Sequence, residues 1–279
     1  MKALSMFRVR LAALAAGCLV SLSALADVPA DLAAAVAGPQ RSVENRARDT
    51  ARHPGETLAF FGIQPTMTVV EISPGGGWFT EILAPYLREK GTLIAAAYPD
   101  DVPGEDGAYY RKSRTAFNAK LAATPAVYDK VNVVDFLVPD RLDMAPAGTA
   151  DMVLTFRNVH NWVGESRDEE KVFAAAFRAL KPGGVLGVEE HRTPRAVSRE
   201  DMAQKGYMPE AVVIGIAEKA GFVLEAKSEI NANPADTHDH PEGVWTLPPT
   251  LSLGDKDRAK YVAIGESDRM TLRFRKPAQ

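Results

Sequence analysis

The run Glu71-Ile72-Ser73-Pro74-Gly75-Gly76-Gly77 sets a carboxylate just ahead of three consecutive glycines. Glycines let a chain turn sharply and bring bare backbone N–H groups against a ligand. An acid at the end of a strand accepts hydrogen bonds from ribose hydroxyls or an amine. A dinucleotide fingerprint would need G-x-G-x-x-G and an acid about 20 residues later. Here Thr80 stands where the third glycine belongs, and Ala95-Ala96-Ala97 closes the next strand without an acid. A nicotinamide oxidoreductase therefore loses ground at both points.

A second group of polar residues follows the later strands. Arg157-Asn158-Val159-His160-Asn161-Trp162 offers an amide to orient a substrate (Asn158), an imidazole to take a proton near neutral pH (His160) and an apolar wall (Trp162). His191, in Glu189-Glu190-His191-Arg192, is expected on the same rim. Of the five histidines, His160, His191, His238 and His240 all follow strands, so all four are expected near one mouth. His238-Asp239-His240 also puts a carboxylate between two imidazoles, the donor types that hold Zn²⁺. No compact ligand spacing ties the four together, so proton-accepting or substrate contacts are the roles expected of His160 and His191, and no metal is assigned. A metal-dependent hydrolase using the histidine cluster stays as an alternative.

The elements that must position these residues alternate. Thr68 to Ile72 is a short β-branched run, as in a buried parallel strand. Strands are also expected over 92–98, 131–134, 151–156, 185–189, 222–230 and 270–274, with helices over 81–89, 109–123, 168–180 and 209–220. Lys181-Pro182-Gly183-Gly184 reads as the stop after the third of these helices. Short turns between strand and helix mean an α/β fold: a doubly wound, mostly parallel, seven-stranded sheet with helices on both faces. Residues 42–61 read as an N-terminal helical cap interrupted at His53-Pro54, and 27–41 as a flexible lead-in. The Pro-, Asp- and His-rich stretch 231–260 breaks the rhythm, and a loop of that length in a single domain is usually functional.

The chain has 279 residues, 46% of them hydrophobic, enough for one large buried core. A net charge of −3 and the lack of a Lys/Arg run argue against a nucleic-acid partner. Lys2, Arg8 and Arg10 precede the apolar stretch 11–22, and Ala24-Leu25-Ala26 is the small-x-small pattern a signal peptidase reads. Export with cleavage after Ala26, to the periplasm, is the expectation. Cleavage would remove Cys18, the only cysteine, and leave no stable membrane anchor, no disulfide and no thiolate site.

Taken together, these motifs resemble the class I S-adenosylmethionine-dependent methyltransferases. Glu71, Gly75 and Gly77 match their first motif, with Ser73 where a glycine is usual; Asp135-Phe136 follow the third strand, and Leu180-Lys181-Pro182-Gly183-Gly184 precede the fifth. The likeness extends from about Glu56 to the C-terminus. It is nearest a bacterial group of exported "predicted methyltransferases", through Glu71 to Trp78 and Gly243-Val244-Trp245-Thr246-Leu247-Pro248-Pro249. The resemblance implies a Rossmann-like fold and S-adenosyl-L-methionine as cofactor. It places the cofactor on Glu71, Pro74, Gly75, Gly76, Gly77, Trp78, Asp135 and Phe136, with Asn158, His160 and His191 facing a small or medium-sized acceptor. Ala97 departs from the family where many members carry the ribose-binding acid, leaving that contact to Asp100, Asp101 or Glu71. A non-catalytic exported ligand-binding protein on the same fold is the other alternative. Oligomeric state is not encoded in any feature of the sequence.

Overall fold

Alternating apolar positions along the central strands serve two layers of helix. The computed structural model describes residues 27–105, 107–163 and 167–278, so the expected targeting segment and Cys18 lie outside the described residues. The strands are β1 (Thr68–Ile72), β2 (Thr92–Ala97), β3 (Asn132–Asp135), β4 (Ala150–Phe156), β5 (Leu180–Thr193), β6 (Met208–Pro209), β7 (Val223–Ser228) and β8 (Arg269–Arg275). The helices are α1 (Ala30–Ala37), α2 (Val43–Arg46), α3 (Asp49–Arg52), α4 (Pro54–Phe61), α5 (Thr80–Leu87), α6 (Ala108–Ala123), α7 (Pro125–Tyr128), α8 (Val159–Trp162), α9 (Asp168–Ala179), α10 (Arg199–Lys205), α11 (Glu210–Lys219) and α12 (Arg258–Ile264). No described helix is long and apolar enough to cross a membrane.

The sheet runs β3-β2-β1-β4-β5-β8-β7, with β6 paired to β5 off that path. Strands β1 to β5 are parallel, and β8 is antiparallel to both β5 and β7. This is the expected doubly wound, mostly parallel sheet of seven strands. Successive side chains of a strand point to opposite faces. Val70, Ile72 and Val153 therefore pack with Val172, Phe173 and Ala176 of α9, whereas Val69, Met152 and Leu154 pack with Leu58 and Phe61 of α4 and Ile82 and Leu83 of α5.

Strand order reverses between β1 and β4, and such a switch point opens a crevice at the carboxyl ends of the strands. Ile72 is in register with Thr155, so the turn after β1 and the segment after β4 emerge side by side. That register makes a shared site possible between residues more than eighty positions apart.

Two expectations about the chain are corrected. Residues 27–41 are not a loose lead-in: α1 occupies most of them and packs on α4 and α5, with Leu32 fully buried. Its run of alanines is a good helix former, and Leu32, Ala35 and Val36 pack it against the core. Lys181-Pro182-Gly183-Gly184 does not end before the fifth strand but lies within it, as a bulge where the register shifts between Ala150 and Met152. The 231–260 segment is mainly turns with a 3₁₀ helix at Gly243–Thr246, yet Asn231, Asp236, His240 and Leu247 are buried in it. The N-terminal cap divides at His53, which holds a left-handed φ of 41° between α3 and α4.

Candidate functional site

The turn after β1 is shaped by three left-handed residues: Ser73 (φ 49°), Gly75 (φ 56°) and Gly77 (φ 76°). Serine in this region carries strain that glycine would not, a cost of order 1 kcal/mol. The Ser73 amide donates to the Ala96 carbonyl at 2.9 Å, tying the turn to the end of β2. Its Oγ is buried with no partner among the described residues. A Cβ on Gly77 would lie 3.2 Å from the Phe117 ring, so Gly77 is needed for packing. A Cβ on Gly75 would meet nothing within 4 Å, because Gly75 faces open space.

That space is a cleft of about 490 Å³. Ser73 and Gly75 form one wall, Tyr98, Tyr109 and Tyr110 another, and Phe136 and Leu137 a third. Asn158, Asn161, Trp162 and Asp168 close it. Tyr98 stacks obliquely on Tyr110 at 4.9 Å, and Phe136 meets Trp162 edge-on at 6.4 Å. Burial, then Tyr109 and Tyr110, push the Tyr98 phenol up to about 12, so it stays protonated at neutral pH. Among the described residues Asp168 is the only acid in the cleft wall.

Of the residues expected to hold a cofactor, Gly75 and Phe136 stand in the wall, and Pro74, Gly76 and Gly77 complete the turn behind it. The Gly76 carbonyl accepts from Lys120 Nζ at 2.9 Å. Glu71, Trp78 and Asp135 lie outside the cleft wall. Asp135 is exposed and paired with Arg114 at 2.9 Å; the same arginine donates to the Tyr98 carbonyl. Asp101, expected as a substitute for the acid missing at Ala97, is exposed, paired with Arg141 at 2.5 Å, and lies outside the cleft wall. Trp78 is buried against Phe79, with the guanidinium groups of Arg41 and Arg52 each 4.9 Å from its ring. The tyrosines were not expected. Tyr98, directly after Ala97 at the end of β2, was the signal for them, since the carboxyl end of a strand faces the crevice.

Glu71 is sealed rather than open to a ligand. Thr80 on α5 donates to its Oε2 at 2.6 Å. Burial pushes the carboxyl up to about 7 against the opposing effects of Thr80 and Lys120. A folded-state value above the unfolded one contributes stability below pH 4.5 that is lost as pH rises through 7. The shift from 4.5 to about 7 amounts to about 3 kcal/mol. Glu71→Gln is therefore expected to remove this dependence, so that wild type and variant diverge between pH 5 and pH 8 in urea unfolding. An unchanged difference across that range would contradict the assignment.

Asn158 stands in the cleft wall, its Nδ2 donating to the Ile72 carbonyl at 3.2 Å and to Thr155 Oγ1 at 3.3 Å. His160 and His191 lie beside the cleft, not in its wall. Their rings are 5.3 Å apart, and Trp245 from the 3₁₀ helix meets His160 at 5.6 Å. Glu190, fully buried, orients the pair. Its Oε1 lies 2.9 Å from His160 Nδ1 and accepts the His191 amide, while Oε2 accepts the amides of Val159 and His160. Burial first, then His160, Arg157, Arg269 and Arg52, keeps the His191 pKa well below the usual imidazole value.

The four histidines do not share a mouth. His238 bonds Asp268 at 3.2 Å, and His240 bonds Asp236 at 2.9 Å, beside Tyr207. Among the described residues, the group with metal-ligating atoms close together is His160, Glu190 and His191, within 4.8 Å, rather than His238-Asp239-His240.

The fold is the Rossmann-like fold of S-adenosylmethionine-dependent methyltransferases. A methyltransferase from Aquifex aeolicus superposes at TM-score 0.50 with 17% identity, over 82% of this chain and 93% of its own. An arsenic(III) S-adenosylmethionine methyltransferase from Chlamydomonas reinhardtii gives 0.51 at 13% identity, over 89% and 74% of the two chains. The cyclase SpnF gives 0.53 at 17% identity, over 89% and 92%. In sequence the chain is similar to sterol 24-C-methyltransferase of Yarrowia lipolytica, 28% identical over 204 residues. The match spans 67% of this chain and 47% of that protein, about half the relative's length. No protein-family model matches.

Proposed function

We propose that the protein binds S-adenosylmethionine in the cleft and transfers its methyl group to a small acceptor. The observation that carries this is the cleft itself, bounded by an open Gly75 and aromatic walls at the switch point of the sheet. Its volume lies in the range that encloses a molecule of cofactor size. Similarity to a sterol methyltransferase and to methyltransferase structures supports the same reading.

The cofactor, when bound, supplies an electrophilic methyl group on a sulfonium. The chain's own residues do the rest. Tyr98, Tyr110 and Phe136 offer flat apolar surface for a purine, and Asp168 offers a polar contact for a ribose in place of the acid missing at Ala97. Trp162 and Tyr109 add further aromatic surface to the lining. Asn158, braced between β1 and β4, holds its side chain at the junction where an acceptor would approach. Where the acceptor must lose a proton, His160 is a base beside the cleft, its ring fixed by Glu190 through Nδ1 so that Nε2 is the nitrogen left for that proton. Positioning supplies much of the rate in such a reaction.

A second reading, a ligand-binding protein without turnover, is favoured by the absence of any histidine from the cleft wall among the described residues. Calorimetric titration of the purified protein with S-adenosylmethionine tests the proposal. Saturable binding is expected, weakened in Tyr98→Ala by about 1–3 kcal/mol through loss of base stacking, or roughly 5- to 150-fold in Kd. No heat of binding at millimolar cofactor, with the protein folded, would remove the proposal.

A further inference from the structure

Behind the glycine turn the buried charges do not balance. Arg48, Arg52 and Arg269 converge on Glu266 at 2.8, 2.9 and 3.0 Å. Arg157 and Arg269 share Glu189 at 2.9 and 3.3 Å. Four guanidinium groups thus meet two carboxylates. Glu190, the nearest further carboxylate, already accepts from two imidazole-bearing residues and the Val159 amide. Arg52, Arg269, Glu189 and Glu266 are all buried, so water screens the excess weakly. Arg52 and Arg157 repel one another: after burial, Arg157 is the largest influence pulling the Arg52 pKa down.

The donors are unmatched as well. Arg52 engages Glu266 through Nε alone, and Arg157 engages Glu189 through Nη1 alone, which leaves the other guanidinium N–H groups of both without a protein acceptor among the described residues. Among the described residues Arg48 Nη2 and Trp78 Nε1 are buried with no hydrogen-bond acceptor, and Arg269 Nε makes only its 3.3 Å ion pair with Glu189. Among the described residues Glu189 Oε2 is the one unmatched acceptor in the same cluster. His191 uses Nδ1 on Ser267 and leaves Nε2. Arg157 also holds a left-handed φ of 60° immediately before Asn158 in the cleft wall. Strain of this kind in a non-glycine residue concentrates at functional positions.

A metal ion is a poor complement to this neighbourhood. Glu190 has its oxygens occupied, and the nearby arginines repel a cation. An oxyanion is the opposite case, since planar guanidinium forks with free N–H groups match carboxylate and phosphate oxygens.

We propose that Arg52 and Arg157, backed by Arg269, form an oxyanion subsite that holds the carboxylate or phosphate of a small anionic methyl acceptor. The inference rests on the methyltransferase reading for the word acceptor, but not for the anion. Sodium sulfate is the probe, titrated calorimetrically into the protein at constant ionic strength made up with sodium chloride. Saturable sulfate binding is expected, at least about tenfold weaker in Arg157→Gln and undiminished by saturating S-adenosylmethionine. Arg157 is partly exposed, so this variant is expected to fold; circular dichroism checks it, and Arg157→Lys, which keeps the charge but not the fork, should be intermediate.

Three results would overturn the assignment. Sulfate binding equal in wild type and Arg157→Gln marks an adventitious ion only. Absence of saturable sulfate binding removes the subsite. Competition by S-adenosylmethionine but not by 5′-methylthioadenosine, which lacks the amino-acid carboxylate, gives the oxyanion to the cofactor instead of the acceptor. Sulfate binding that persists and depends on Arg157 in a protein that fails to bind S-adenosylmethionine would keep the subsite and sink the methyltransferase reading alone.

Discussion

Glu266→Gln is expected to lower stability by about 3–5 kcal/mol, the range seen when one partner of a buried ion pair is removed. For a domain of this size that corresponds to a fall in Tm of roughly 10 °C. Glu266 is the shared anion of Arg48, Arg52 and Arg269. Burial pushes its carboxyl up, but Arg52, Arg269 and Arg48 outweigh burial and hold it at about 2. Through these contacts α3, near the N-terminus, is clamped to the start of β8, near the C-terminus. Glutamine keeps the shape and removes the charge, so Arg48 and Arg52 lose their counter-ion in a poorly hydrated place and Arg269 keeps only Glu189. The folded value lies below the unfolded one, so the contribution is present above pH 4.5 and lost as pH falls through 2. Thermal unfolding of both proteins at pH 7 is the measurement, and a change in Tm within about 1 °C would show that the cluster does not depend on this carboxylate.

The second large effect is on binding. Gly75→Ala is expected to weaken S-adenosylmethionine at least about tenfold, or 1.4 kcal/mol, while the protein stays folded. Residue 75 is left-handed, which costs an alanine about 1–2 kcal/mol. Its new methyl group would meet no protein atom within 4 Å and would instead occupy the cleft. Gly77→Ala is the control. There the methyl group would press on Phe117 at 3.2 Å and Lys120 at 3.3 Å, so the expected loss falls first on stability. Titration calorimetry and thermal unfolding on the two variants separate the effects. Equal cofactor affinity in wild type and Gly75→Ala would place the cofactor elsewhere.

Much of the architecture was legible because its signals are local. β-Branched runs, helical periodicity and the glycine turn report on neighbouring residues in the chain. Through them the alternation of strands and helices, the seven-stranded sheet and the position of Gly75, Phe136 and Asn158 at the strand ends could all be anticipated. The helix over 30–37 was missed because alanine, proline and glycine together look like a linker, and the burial that stabilises it comes from α4 and α5, distant in sequence.

The chemistry of the site was less legible, since each residue there depends on a partner brought in by the fold. Glu71 reads as a ligand-binding acid until α5 packs down and Thr80 closes over it. Asp135 reads the same way until Arg114 reaches it from α6. His160 and His191 follow different strands and meet through Glu190, whereas His238 and His240 are drawn off by two aspartates. Arg52 and Glu266 are 214 positions apart. The chain by itself determined which segments become strands and helices and where the glycine turn falls, because backbone propensity and periodicity act over a few residues. Only the tertiary structure decided which charged groups face a ligand and which face each other, because strand order and helix packing bring such partners together from opposite ends of the sequence.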